Sequence, residues 1–132
     1  MEQLKKNKAF VIRYFNAMSG VTKTRELSRE YMTDEELIEH IAFFESVFPK
    51  YEIFADEMIA EGNKVVVRAR LKGKHKGELN RIPPTNKEVD FPFVINYEIE
   101  NDQIIHHWLI ADQMTLMEQL GVMGVPQEMH EL

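Results

Sequence analysis

Cysteine is absent from the 132 residues of this chain, and so is any long hydrophobic run. The lack of cysteine excludes a disulfide scaffold, a cysteine-ligated zinc site and thiol chemistry, and it makes the reducing cytoplasm the expected location. No apolar segment reaches the length that a bilayer-spanning helix needs, so no membrane association is expected. The first fifteen residues mix charged with apolar side chains and lack the apolar core of a signal peptide.

Positive charge is also scarce. The chain has 16 Lys and Arg residues against 22 Asp and Glu residues, which gives a net charge of −6. Such a surface repels phosphate backbones, so nucleic acid is not an expected partner. The length suits one domain, residues 1–132, and a hydrophobic content of 44% is enough for one core with a cavity inside it.

Helical periodicity marks the N-terminal part of the chain. Apolar residues at helical spacing predict a first helix over residues 4–18, and residues 24–32 are typical of a short helical turn. Thr33 and Glu36 form a Thr-x-x-Glu capping pattern, which predicts a third helix that ends before Pro49.

From residue 51 onward the hydrophobic period changes from helical to twofold. This pattern predicts four strands, at residues 51–60, 64–76, 88–100 and 103–111. Residues 77–87 contain two consecutive prolines and are expected to form a loop that rims a pocket. Asp112 is expected to cap a short closing helix, Gly121 to end it, and residues 124–132 to form a loose tail. The element order predicts an α+β domain whose curved antiparallel sheet wraps around the helices.

Four runs of sequence follow one another along most of the chain: KAFVIRYFNAM, FFESVFPKYEI, GKHKGELNRIPPTNKEVDF and YEIENDQIIHHWLIADQMTLMEQLG. Together they resemble the SnoaL-like polyketide cyclase and ester cyclase group of the nuclear transport factor two-like superfamily. The resemblance implies a cone-shaped α+β barrel with an apolar pocket. It also implies dimerisation through the outer face of the sheet and no metal or organic cofactor.

In the characterised cyclases of this group, an aspartate acts as general acid/base in an aldol closure, assisted by a glutamine and a histidine. The resemblance places these three roles at Leu109, Phe93 and Ile95. None of these side chains can take a proton from carbon or stabilise an enolate, so any reaction must use other groups. The positions that do match the family's pattern are His75, His107, Trp108 and Asp112.

The hairpin between the last two strands decides which side chains face the pocket. A two-residue loop would pair Ile95 with Trp108. A three-residue loop, residues 101–103, would pair Ile95 with Leu109 instead. The second register is favoured, because the family motif has glycine at the place of Asp102 and aspartate tolerates a left-handed conformation.

On the favoured register, His107 lies inside beside Tyr97, either as an acid/base group or as a buried histidine satisfied by Tyr97 or by the backbone. His75 is either a ligand contact or a solvent-facing strand end, and His107 and His75 are the catalytic candidates. Asp112 is expected to cap the last helix, and a role as a catalytic acid is the alternative. The predicted substrate contacts are Phe91, Phe93, Ile95, Tyr97, Leu109, His40 and Tyr14.

The opposite face of the last strand is expected to carry Ile104, Trp108 and Ile110. An exposed apolar row on a sheet usually marks a partner surface, so a homodimer through the outer sheet face is predicted. Metal binding is not predicted, because His106 and His107 are adjacent on a strand and point to opposite faces.

Two functions remain open at this stage. One is a cyclase-type or isomerase-type enzyme that acts on a small hydrophobic carbonyl compound with altered acid/base residues. The other is a non-catalytic module that binds or senses a small apolar ligand.

Overall fold

The computed structural model of the chain describes residues 2–122. Its elements are, in chain order, α1 (Glu2–Met18), α2 (Arg25–Arg29), α3 (Glu35–Val47), β1 (Glu52–Glu61), β2 (Lys64–Lys74), β3 (Glu88–Glu100), β4 (Gln103–Ala111) and α4 (Gln113–Leu120). The strands form one antiparallel sheet in the order β1-β2-β3-β4. The predicted α+β class and meander are confirmed, whereas the predicted loose tail, residues 124–132, lies outside the described residues.

The core lies on one face of the sheet because the strands alternate buried and exposed residues. On β2, Val65, Val67 and Ala69 are fully buried, while Arg68 between them is exposed. Helix α1 supplies a buried apolar stripe to the same core cluster, to which α3 also contributes. The helices therefore cover the inner face of the sheet and leave the outer face open in the single chain.

Helix α3 begins one residue later than its capping pattern predicted. The N-cap is Asp34, whose Oδ1 accepts a hydrogen bond from the Leu37 amide at 3.1 Å. Thr33 instead donates its backbone N–H to the carbonyl of Ile104 at 3.0 Å, next to a parallel bridge between Met32 and Ile104. This pairing holds Thr33 in the sheet's hydrogen-bond pattern, so the helix starts only after it.

The β3–β4 hairpin has the favoured strand register but not the three-residue loop from which that register was predicted. Ile95 pairs with Leu109, as predicted. The loop, however, has two residues, Asn101 and Asp102, with φ values of 51° and 57°. Two consecutive positive φ values are typical of a type I′ hairpin turn. A bulge at Ile105 absorbs the extra residue, since the register shifts there by one position.

Because of the bulge, the outer face of β4 differs from the predicted one. Ile104 is completely buried in the core, whereas Trp108 and Ile110 are 58% and 57% exposed. Because one residue is added between Ile104 and His106, the strict alternation that placed Ile104 beside Trp108 fails.

The closing helix has the predicted caps. The Asp112 carboxylate accepts a hydrogen bond from the Thr115 amide at 3.0 Å, and Gly121 ends the helix in a left-handed conformation with φ of 79°. Within residues 2–122, none of the helices combines the length and apolar character needed to cross a membrane.

Candidate functional site

A cavity lies between α3 and the inner face of the sheet. The cavity has a volume of about 60 Å³. A cavity needs about 10–15 Å³ to hold one water molecule, so this one has room for more than one. All the residues predicted as substrate contacts line it: Phe91, Phe93, Ile95, Tyr97, Leu109, His40 and Tyr14.

The twofold period of β3 is the reason that this strand supplies so much of the lining. Phe91, Phe93, Ile95 and Tyr97 are alternate residues and therefore share the inner face. Leu109 is the cross-strand partner of Ile95 and adds to the same surface. Leu109, Phe93 and Ile95, the three positions to which the resemblance assigned catalytic roles, all line the cavity and are apolar.

Among residues 2–122, three tyrosines and one histidine are the only lining residues with polar side chains. Burial raises the pKa of Tyr14, Tyr51 and Tyr97, so their hydroxyls stay protonated near neutral pH. The Tyr14 and Tyr97 rings meet edge to face, with centroids 5.8 Å apart and an interplanar angle of 82°.

His40 lies where the cavity meets the surface. Its ring packs edge-on against Phe44, with centroids 4.6 Å apart, and lines the cavity. It also lines a surface groove between α3 and β4 that includes Glu36 and His107, which we name the lateral groove. Burial, followed by the electrostatic effect of nearby His107, lowers the pKa of His40, while Glu36 partly opposes this effect. His40 is therefore neutral at pH 7.

His107 is held by a carboxylate that the sequence analysis did not single out. His107 is the cross-strand partner of Tyr97, as predicted, and its Nδ1 lies 2.7 Å from Oδ2 of Asp34. The two side chains are only 9% and 6% exposed. Because an ionised carboxylate only accepts hydrogen bonds, Nδ1 carries the proton that is donated to Asp34, and Nε2 is left for proton exchange. The partner of the buried imidazole is thus Asp34, and neither Tyr97 nor the backbone.

Asp34 was missed because its two roles are separated in sequence. One oxygen caps α3 locally, whereas the other binds a histidine that lies 73 positions further along the chain. The local signal was the sequence Thr-Asp-Glu-Glu at residues 33–36, in which Asp34 is also a preferred N-cap residue. No sequence signal pointed to its contact with β4.

Asp34, Glu36 and His107 also bring three ligand-type atoms within 4.8 Å of one another. Two features favour a hydrogen-bonded pair over a bound cation at this place. The Asp34 oxygen is already engaged by His107, and the carboxylates lie at the N-terminus of α3, where the helix dipole repels positive charge. The arrangement therefore fits proton chemistry better than metal chemistry.

His75, the second catalytic candidate, lies outside the lining of the cavity. It is completely buried beside Phe48, and its Nδ1 accepts a hydrogen bond from the Thr85 amide at 3.2 Å. It is neither a solvent-facing strand end nor a contact of the cavity, because the loop over residues 77–87 folds back over it. His75 thus ties that loop to the end of β2.

The family of the chain follows from comparison with known proteins. Residues 18–120 match the SnoaL-like polyketide cyclase family, and the chain therefore belongs to it. No curated protein sequence gives a match.

Solved structures show the same fold. A protein from Jannaschia sp. CCS1, provisionally named a SnoaL-like polyketide cyclase, is 27% identical with a TM-score of 0.75, over 88% of this chain and 92% of its own. AclR from Streptomyces galilaeus, provisionally named a hydroxylase, has 17% identity and a TM-score of 0.75, with coverages of 89% and 97%. A provisionally named polyketide cyclase from Acidithiobacillus ferrooxidans has 18% identity and a TM-score of 0.75, with coverages of 88% and 94%. These likenesses confirm the cone-shaped α+β fold.

Proposed function

We propose that this SnoaL-like chain binds one small apolar molecule in the cavity between α3 and the sheet. The observation that carries the proposal is the apolar character of the lining, because ten of the fourteen lining side chains within residues 2–122 are apolar. An enclosed, mostly apolar space with a few polar groups is the usual form of a small-molecule site. Leu109, Phe93 and Ile95, which stand where the characterised cyclases have polar catalytic residues, add to this apolar surface.

A second candidate function, cyclase-type or isomerase-type acid/base chemistry on the bound molecule, is favoured by the two histidines at the lateral groove. His107 is oriented by Asp34 through a 2.7 Å hydrogen bond. His40 touches both the cavity and the groove, and the neutral imidazole is ready to accept a proton. The proposal uses no metal or organic cofactor, and His75 has no part in it.

The proposed assembly is a homodimer through the outer face of the sheet, in the cytoplasm. Trp108 and Ile110 form an exposed apolar patch there. A second copy would cover this patch and remove it from water.

Binding in the cavity is tested with a matched pair of variants on β4. Ala111 lines the cavity, while Ile110 beside it is exposed on the outer face. Ala111→Phe should fill the cavity and abolish binding of α-methylstyrene, a small neutral hydrocarbon, measured by saturation-transfer NMR. Ile110→Phe should bind it as the native protein does. Equal binding by native protein and Ala111→Phe would refute the proposal.

Acid/base chemistry is tested with acetophenone in D₂O. A base in the site would remove a methyl proton to give the enolate, and a deuteron would then return to carbon. His107→Asn and His40→Asn should each slow protein-catalysed exchange by about 100-fold or more. If the native protein binds acetophenone but does not accelerate exchange, the non-catalytic binding function is the correct one.

A further inference from the structure

The polar atoms of the cavity are few enough to be considered one by one. In the part of the chain that the structure describes, the lining residues with polar side chains are Tyr14, His40, Tyr51 and Tyr97. His40 lies at the lateral groove, so it marks the side that opens to the surface. The tyrosines therefore supply the polar atoms away from that opening.

Tyr51 already has a structural role. The ammonium group of Lys23 lies 3.8 Å from the centre of its ring and donates a hydrogen bond to its backbone carbonyl at 2.6 Å. A cation held over one face of the ring fixes the orientation of this tyrosine. The ring and the backbone carbonyl of Tyr51 thus bind the ammonium group of Lys23.

Tyr14 and Tyr97, by contrast, form a pair that joins α1 to β3. Their rings are in edge-to-face contact, and Tyr31 and Phe15 pack around them at centroid distances of 5.6 Å and 6.4 Å. Both residues are almost completely buried, at 3% and 2% exposed. The surrounding rings hold the two phenols in one arrangement and so preorganise their hydroxyl groups.

The two hydroxyls of this pair have at least one O–H donor that a bond between them would not use. When one hydroxyl donates to the other, the acceptor hydroxyl keeps its own hydrogen for a further acceptor. The enclosed side-chain atoms without a partner in residues 2–122 belong to Asn7, Ser28, His75 and Asn96. Neither the Tyr14 nor the Tyr97 hydroxyl is among them, so each has a hydrogen-bond partner or keeps accessible surface, and both residues line the cavity.

We propose that the Tyr14 and Tyr97 hydroxyls form a subsite that binds a neutral, hydrogen-bond-accepting oxygen of the ligand. This inference rests on the proposed binding function and adds the polar group that the apolar molecule must carry. A hydrocarbon of the same shape gains no hydrogen bond there. A carboxylate is disfavoured because no Lys or Arg among residues 2–122 lines the cavity, and because Glu36 and Glu39 line the groove at its open side.

Three probes of similar size test the subsite: acetophenone, its hydrocarbon analogue α-methylstyrene, and benzoate. Dissociation constants are measured by NMR titration at pH 7 on the native protein and on Tyr14→Phe, Tyr97→Phe and Tyr31→Phe. Tyr31 is the matched control, since it packs against Tyr14 without lining the cavity.

The native protein should prefer acetophenone to α-methylstyrene, and benzoate should bind weakest. Tyr14→Phe or Tyr97→Phe should weaken acetophenone binding about threefold to tenfold, the range for one neutral hydrogen bond, without weakening α-methylstyrene. Tyr31→Phe should change neither. With ¹³C at the carbonyl, bound acetophenone should show a downfield shift that Tyr97→Phe reduces, a signature that altered packing alone would not produce.

Each failure has a distinct meaning. If acetophenone and α-methylstyrene bind equally, or if both lose affinity together in the Phe variants, the subsite is refuted while binding in the cavity stands. If neither binds the native protein, the proposed binding function itself fails and the subsite with it. Preferential binding of benzoate would show that the site recognises an anion and would also overturn the inference.

Discussion

Replacement of Asp34 by alanine should destabilise the protein more than the loss of an ordinary helix cap. Asp34 uses one oxygen to cap α3 at Leu37 and the other to accept the Nδ1 proton of His107. Asp34→Ala removes both bonds and leaves a nearly buried imidazole without its partner. Asp34→Asn keeps an oxygen for the cap and presents an amide N–H to the ring, which can change tautomer to accept it.

The magnitude follows from the two bonds. Loss of an N-cap typically costs about 1 kcal/mol. Loss of a hydrogen bond that involves a charged group costs about 1.5–3 kcal/mol, because the partner stays desolvated. The expected decrease in unfolding free energy is therefore about 2.5–4 kcal/mol for Asp34→Ala. For Asp34→Asn a decrease of about 1 kcal/mol is expected, since only the charge is lost.

Urea denaturation monitored by far-ultraviolet circular dichroism measures these differences. Asp112→Ala is the matched control, because Asp112 caps α4 at an exposed site without a histidine partner, and its loss should be the smaller one. A double-mutant cycle of Asp34→Ala with His107→Ala should give a coupling energy of about 1–3 kcal/mol. A coupling near zero, or equal losses in the two alanine variants, would refute the Asp34–His107 pair.

Three further predictions concern the sheet, the cavity and His40. Trp108→Lys should shift a dimer toward monomer in sedimentation equilibrium, and native protein that is only monomeric at micromolar concentration would contradict the interface. Leu109→Asp buries a carboxylate, and burial raises its pKa. In urea melts, the loss of unfolding free energy relative to the native protein should therefore grow as the pH rises above about 4. A loss that stays constant with pH would place residue 109 in solvent. Burial, and then the electrostatic effect of His107, lower the folded-state pKa of His40. Between that value and about 6.5 the unfolded chain binds more protons, so stability falls on acidification through this window, and His40→Leu should flatten the decline.

The elements of this fold were predictable because each has a local signal. Residues 88–100 and 103–111 were predicted as strands with their observed bounds, and Asp112 and Gly121 act as the predicted caps. The twofold period then placed the inner-face residues of β3 correctly, since alternation depends on the backbone alone.

The features that were missed depend on contacts between distant segments. The bulge at Ile105 lies next to the point where β4 pairs with Met32, and no local pattern announces such a pairing. The displaced cap of α3 has the same origin, because the backbone of Thr33 is taken up by Ile104. The partner of His107 could not be predicted for a similar reason, as Asp34 and His107 meet only once α3 is set beside β4.

A crystal structure of the protein with acetophenone would show whether a small apolar molecule occupies the cavity between α3 and the sheet. We expect electron density for one ring in contact with Phe91, Phe93 and Leu109, with the ketone oxygen directed toward Tyr97. A cavity filled by the side chain of Phe44, or a ligand bound only at the outer surface, would contradict it.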